Sequence, residues 1–105
     1  MTEQTFQQRV LDQLAPLGNI TSRPIFGGWG LYWRETIFDI LFEDRLYLKV
    51  DDRSKADLVS RGMGPFRPNE RQTLNSYYEV PPVALAEPEA LLSCAGEAIR
   101  AGQSS

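Results

Sequence analysis

Phe6, Val10, Leu11 and Leu14 recur at helical spacing, with Gln7, Gln8, Arg9, Asp12 and Gln13 filling the positions between them. The pattern predicts an amphipathic helix over roughly 3–15, with Thr2 as its N-cap and Pro16 and Gly18 as its stop. The period then changes. Ile20 to Ile25 reads as a short extended run whose Pro24 suits an edge strand. Trp29, Leu31 and Trp33 alternate with Gly30, Tyr32 and Arg34, and Ile37–Phe42 and Leu46–Val50 are two further strand-like runs. The links Arg34-Glu35-Thr36 and Glu43-Asp44-Arg45 have room only for hairpins, so these strands should be antiparallel neighbours. Neither link contains glycine, which makes the tightest primed turns less comfortable.

Helical spacing returns at Ser54, Lys55, Ala56, Leu58 and Val59, with Asp51 or Asp52 as the cap and Gly62 as the close. Met63 to Thr73, rich in Gly, Pro, Arg and Asn, reads as a loop. Leu74, Ser76, Tyr78 and Val80 then alternate with Asn75, Tyr77 and Glu79 as a strand, which Pro81-Pro82 ends. A last helix starts near Glu87 or Pro88 and buries Leu91, Leu92, Ala95, Ala98 and Ile99. The order predicts an α+β fold: one two-layer domain over residues 1–101, with an antiparallel sheet of about five strands. An N-terminal helix, a short middle helix and a C-terminal helix accompany the sheet, and 102–105 should be a flexible tail.

Composition narrows the classes. A chain of 105 residues that is 42% hydrophobic and 24% charged has the size and material for one core. Its net charge of -3 argues against a generally basic binder of nucleic acid or membrane surfaces. There is no secretory leader pattern at the start and no apolar run long enough to span a bilayer, and Cys94 is the lone cysteine. A cytoplasmic protein that uses no membrane is the expectation.

Catalytic and cofactor chemistry finds little support. The chain has no histidine, so neither Cys94 nor any serine has the usual activating base, and Cys94 falls within the apolar stripe of the last helix. Asp51-Asp52 is better explained as a helix cap than as a cation site. Gly27-Gly28-Trp29-Gly30 runs into a strand and lacks the Lys-Ser/Thr ending of a phosphate loop, so a sharp turn or bulge is expected there. No catalytic residue, metal ligand or cofactor is assigned, and an enzyme is not expected.

Tyr32, Tyr47 and Tyr77 fall on three predicted strands, and Arg34 and Lys49 stand two positions after the first two. Period-two geometry places each cation beside its tyrosine on one face. Seven cations against four acids lie between Arg45 and Arg71. The candidate interaction surface is therefore Tyr32, Arg34, Tyr47, Lys49, Tyr77, Arg67 and Arg71. It would serve a protein partner or a second copy of the chain through a sheet face or edge. The alternative is weak nucleic-acid binding, with bases stacking on the tyrosines and the 45–71 cations touching phosphate.

The segment Arg23-Pro24-Ile25-Phe26-Gly27-Gly28-Trp29-Gly30-Leu31-Tyr32 resembles a motif of the TfoX/Sxy N-terminal domain family. Arg45–Asp51, Ser76–Pro81 and Pro88–Leu92 continue the likeness in order. The resemblance implies a bacterial, cytoplasmic α+β domain in which Arg23, Pro24, Phe26, Gly27, Gly28 and Gly30 are architectural. Longer members are regulators of DNA-uptake competence that act with the cyclic-AMP receptor protein, so transcription machinery is the partner implied. Those regulators carry a second, C-terminal domain, and this chain ends where it would begin. Their Asp-Gly hairpin is Glu43-Asp44 here.

Overall fold

A computed structural model describes residues 5–104. The first helix, α1 (Phe6–Leu14), is capped by Thr5, whose hydroxyl accepts the Gln8 N–H at 3.1 Å while its own N–H donates to the Gln8 side chain at 3.3 Å. This reciprocal box corrects the expected cap at Thr2, which lies with Glu3 outside the described residues. A single 3₁₀ turn, Ala15–Leu17, and Gly18 at φ 68° then release the chain into the sheet.

The strands are β1 (Ile20–Ile25), β2 (Gly28–Trp33), β3 (Thr36–Phe42), β4 (Arg45–Lys49), β5 (Pro65–Asn69) and β6 (Gln72–Glu79). They form one antiparallel sheet in the order β1-β2-β3-β4-β6-β5. The predicted hairpins are present, and each closes over two residues. Glu43 and Asp44 both take left-handed backbone (φ 50° and 60°), the signature of a type I′ turn. The right-handed twist of the flanking strands selects this turn even though both side chains resist it.

Three local expectations are corrected. The presumed loop 63–73 contains β5, so the sheet has six strands; its outer position tolerates Pro65 and Pro68, which lack N–H groups. The alternation expected along β6 breaks. Leu74 joins Tyr77 in one apolar cluster because the β5–β6 register shifts between them. Residues 102–104, expected in a flexible tail, continue α4 (Pro88–Ser104), with Ala101 buried and Gly102 against β3. A one-turn helix, α3 (Pro82–Leu85), was not anticipated.

Three clusters build the interior. The largest joins Val10 and Leu14 of α1, and Leu91, Ala95, Ala98 and Ile99 of α4, to Leu31, Phe38, Leu41, Leu46 and Leu48 on one sheet face. The helical stripe read from the sequence is thus the one buried. Beneath α2 (Asp52–Ser60), Leu58 meets Val50 and Tyr78. The third cluster, Ile40, Tyr47, Phe66 and Tyr77 with Phe42 and Leu74 around it, occupies the other face of the sheet. There the Phe26 ring, at the β1–β2 turn, lies 5.8 Å from Phe66 on β5. Four strand spacings separate β2 from β5, roughly 19 Å in a flat sheet. The sheet therefore curls, and its second face folds over a small aromatic core of its own.

Candidate interaction face

The helix-free face is fixed by register. Tyr47 stands opposite Ile40 and Glu79, Lys49 opposite Tyr77, and Arg23 opposite Gly30. The curl takes two of the three tyrosines out of solvent: Tyr47 and Tyr77 are each only 8% exposed, which corrects their place on an open aromatic surface. The Tyr47 ring is 4.7 Å from Phe66. Burial pushes the Tyr47 hydroxyl upward in pKa and the Glu79 carboxylate adds to this, while Arg45 opposes it. Burial likewise raises Tyr77, with Tyr32 and Asp39 contributing.

The cations do not pair as the two-residue spacing suggested. Arg34 sits in the β2–β3 turn at φ 56° and stacks on Trp33 at 4.6 Å, away from Tyr32. Tyr32 is instead covered by Arg23 of the neighbouring strand at 5.0 Å. The Lys49 ammonium lies 5.3 Å from the Tyr77 ring, across the strand pair, and Arg45 is held by Glu79 at 3.3 Å. Arg67 is exposed on β5, and the Arg71 N–H donates to the Asn69 side chain at 2.8 Å in the β5–β6 turn. The structure therefore gathers Tyr32, Tyr47, Lys49 and Tyr77 on one face, and sets Arg34 and Arg71 at turns and Arg67 on an outer strand.

The glycine segment has the turn role expected of it. Phe26 and Gly27 are the left-handed pair of the β1–β2 turn (φ 53° and 81°). A Cβ on Gly28 would collide with the Leu41 carbonyl, so β2 lies close on β3 only because this residue is glycine. Gly30 leaves the space in which Ile25, Ile37 and Tyr32 meet. The surface residues that the sequence reading missed follow from this geometry: Phe26 and Trp29 remain 42% and 37% exposed at one end of the sheet. No local pattern marks them as exposed, because their exposure depends on where the curled sheet stops.

Elsewhere, Asp51 is the α2 cap: its carboxylate accepts the Ser54 N–H at 2.8 Å, and that bond lowers its pKa. Cys94 is half-buried on α4, and burial pushes its thiol upward. Asp39 is fully buried between Leu31 and Leu48 in register, and neither carboxyl oxygen meets a hydrogen-bond donor among the described residues. Among those residues no group of three or more His, Cys, Asp or Glu is placed to hold a metal, and no helix is long and apolar enough to cross a membrane.

The family model described as the TfoX N-terminal domain matches residues 12–102. The chain is 37% identical over 73 residues to the DNA transformation protein TfoX of Haemophilus influenzae, covering 66% of this chain and 33% of that protein. It is 26% identical over 95 residues to the DNA transformation protein TfoX1 of Aliivibrio fischeri, covering 89% of this chain and 46% of that one. The chain thus spans less than half the length of these curated relatives.

Proposed function

This chain belongs to the TfoX N-terminal domain family, and on that premise we propose that it is a non-enzymatic regulatory domain of a DNA-transformation system, working in the cytoplasm through contact with a protein partner. The names of its relatives support the system. One observation carries the mode of action: the tight glycine turn holds Phe26 and Trp29 half-exposed, while Tyr47 and Tyr77 of the same sheet are drawn inside. Aromatic side chains kept at a surface give contact area at low entropic cost.

Both outer strands carry prolines, Pro24 on β1 and Pro65 and Pro68 on β5. These make poor templates for strand addition and favour a contact made by side chains at the end of the sheet. Base stacking loses its support, because Tyr47 and Tyr77 present no free ring face to a nucleic acid. The absence of histidine, a Cys94 thiol raised by burial and a sequestered Asp39 all fit a domain that makes no bonds.

The test is genetic. Deleting the gene in the source cell should lower the frequency of natural transformation; the wild-type chain should restore it, and a folded Trp29→Ala chain should not. Unchanged transformation in the deletion strain would overturn the reading.

A further inference from the structure

Beside the exposed aromatics, the β1–β2 turn, the β3–β4 turn and the start of α1 enclose a groove of about 290 Å³. Phe6 and Trp29 give it apolar walls, and Glu43 and Asp44 stand on its rim. Both acids are exposed, and neither has a lysine or arginine within ion-pairing distance among the described residues. Arg45, the next residue in sequence, is engaged by Glu79 instead. The capping box closes the α1 end of the groove, so the Gln8 N–H is not offered to an anion there.

We infer that this groove docks a segment of a partner protein presenting a lysine or arginine next to an apolar side chain. The inference rests on the protein-interaction reading above and specifies its chemistry. Charge complementarity selects the occupant: the groove supplies two uncompensated carboxylates and no cation, beside aromatic surface that water solvates poorly. A cationic group reaching Glu43 and Asp44 would leave its neighbour against Phe6 and Trp29, where an apolar side chain is buried rather than repelled. An acidic segment would meet like charge, and nucleic acid would be excluded for the same reason.

The test uses the full chain, isotope-labelled, titrated with three end-blocked tetrapeptides: Arg-Leu-Arg-Phe, Ser-Leu-Ser-Phe and Glu-Leu-Glu-Phe. The cationic probe should shift the amides of residues 28–29 and 42–44 and bind about fivefold more tightly than the neutral one, as two exposed ion pairs warrant. Its advantage should vanish in the Glu43→Gln/Asp44→Asn variant, whose melting temperature checks that the turn still folds. Equal binding of the three probes, no binding, or shifts elsewhere would overturn the inference. So would sedimentation showing a dimer that loses its contact when Trp29 is replaced, since a second copy would then fill the groove. Failure here with a transformation defect still present in Trp29→Ala removes only the cationic segment. Normal transformation in the deletion strain removes the cellular role and leaves the groove chemistry to this titration.

Discussion

Phe26 and Phe66 meet edge to face, with ring centroids 5.8 Å apart and planes at 66°, although one caps the first hairpin and the other lies on the outermost strand at the far edge. Phe66 is fully buried and also touches Phe42 and Tyr47, so it is the hub on which the sheet curls. Replacing Phe66 with alanine should cost about 3–5 kcal/mol, the range for deleting a buried phenylalanine. Phe26→Ala should cost less, because that residue is already 42% exposed. A double-mutant cycle in urea should return a coupling of about 0.5–1.5 kcal/mol. Strict additivity would mean that the two edges are held together by other contacts.

The Glu43-Asp44 turn is the next test. Both residues adopt left-handed backbone, a conformation that costs an L-residue roughly 1–2 kcal/mol and glycine almost nothing. Asp44→Gly should therefore raise stability by about 0.5–1 kcal/mol, read as a higher urea midpoint at an unchanged slope. A lower midpoint would show that the aspartate side chain supports the turn by more than its backbone opposes it.

These same places mark how far the sequence could be read. The α4 stripe and the two short hairpin links were legible because period and loop length are local properties, and Leu91, Ala95 and Ala98 sit where that period puts them. The β5 strand was hidden by Pro65 and Pro68, which signal a loop unless one knows that the strand is outermost. The tyrosine–cation pairs failed for a geometric reason. Residues two apart on a strand are nearly 7 Å apart, whereas a residue directly across is about 5 Å away. Lys49 accordingly meets Tyr77 rather than Tyr47. The burial of the tyrosines depended on a curl closed by residues 40 positions apart, which no local window contains.

Two glycines of α4 should respond with opposite signs. A Cβ on Gly96 would find its nearest neighbour at 4.0 Å, so Gly96→Ala should gain about 1 kcal/mol from helix propensity alone. A Cβ on Gly102 would lie 2.7 Å from the Thr36 methyl carbon and 2.9 Å from the Ile37 carbonyl oxygen. Gly102→Ala should instead destabilise by about 1–3 kcal/mol or lift the last turn of α4 from β3. Thermal melts of the two variants decide it; a gain for both would mean that the end of α4 does not pack on β3 in solution.

Asp39 makes a prediction whose sign is opposite to that of an ordinary paired carboxylate. Burial without a hydrogen-bond donor holds its carboxyl well above the usual range. Below the unfolded pKa, both folded and unfolded chains carry the proton and Asp39 gives no pH dependence. As pH rises past that value, the unfolded chain releases the proton while the folded one keeps it. Stability then falls by up to about 1.4 kcal/mol per pH unit until the folded pKa is reached. Asp51 works the other way: its lowered pKa adds stability that is lost as pH falls. The diagnostic is therefore the difference between wild type and Asp39→Asn, measured by urea unfolding from mildly acid to neutral pH. That difference should grow in favour of the variant as pH rises, because the amide has no proton to lose and fits nearly the same space. A difference independent of pH would mean that Asp39 finds a partner in solution and ionises as it would in water.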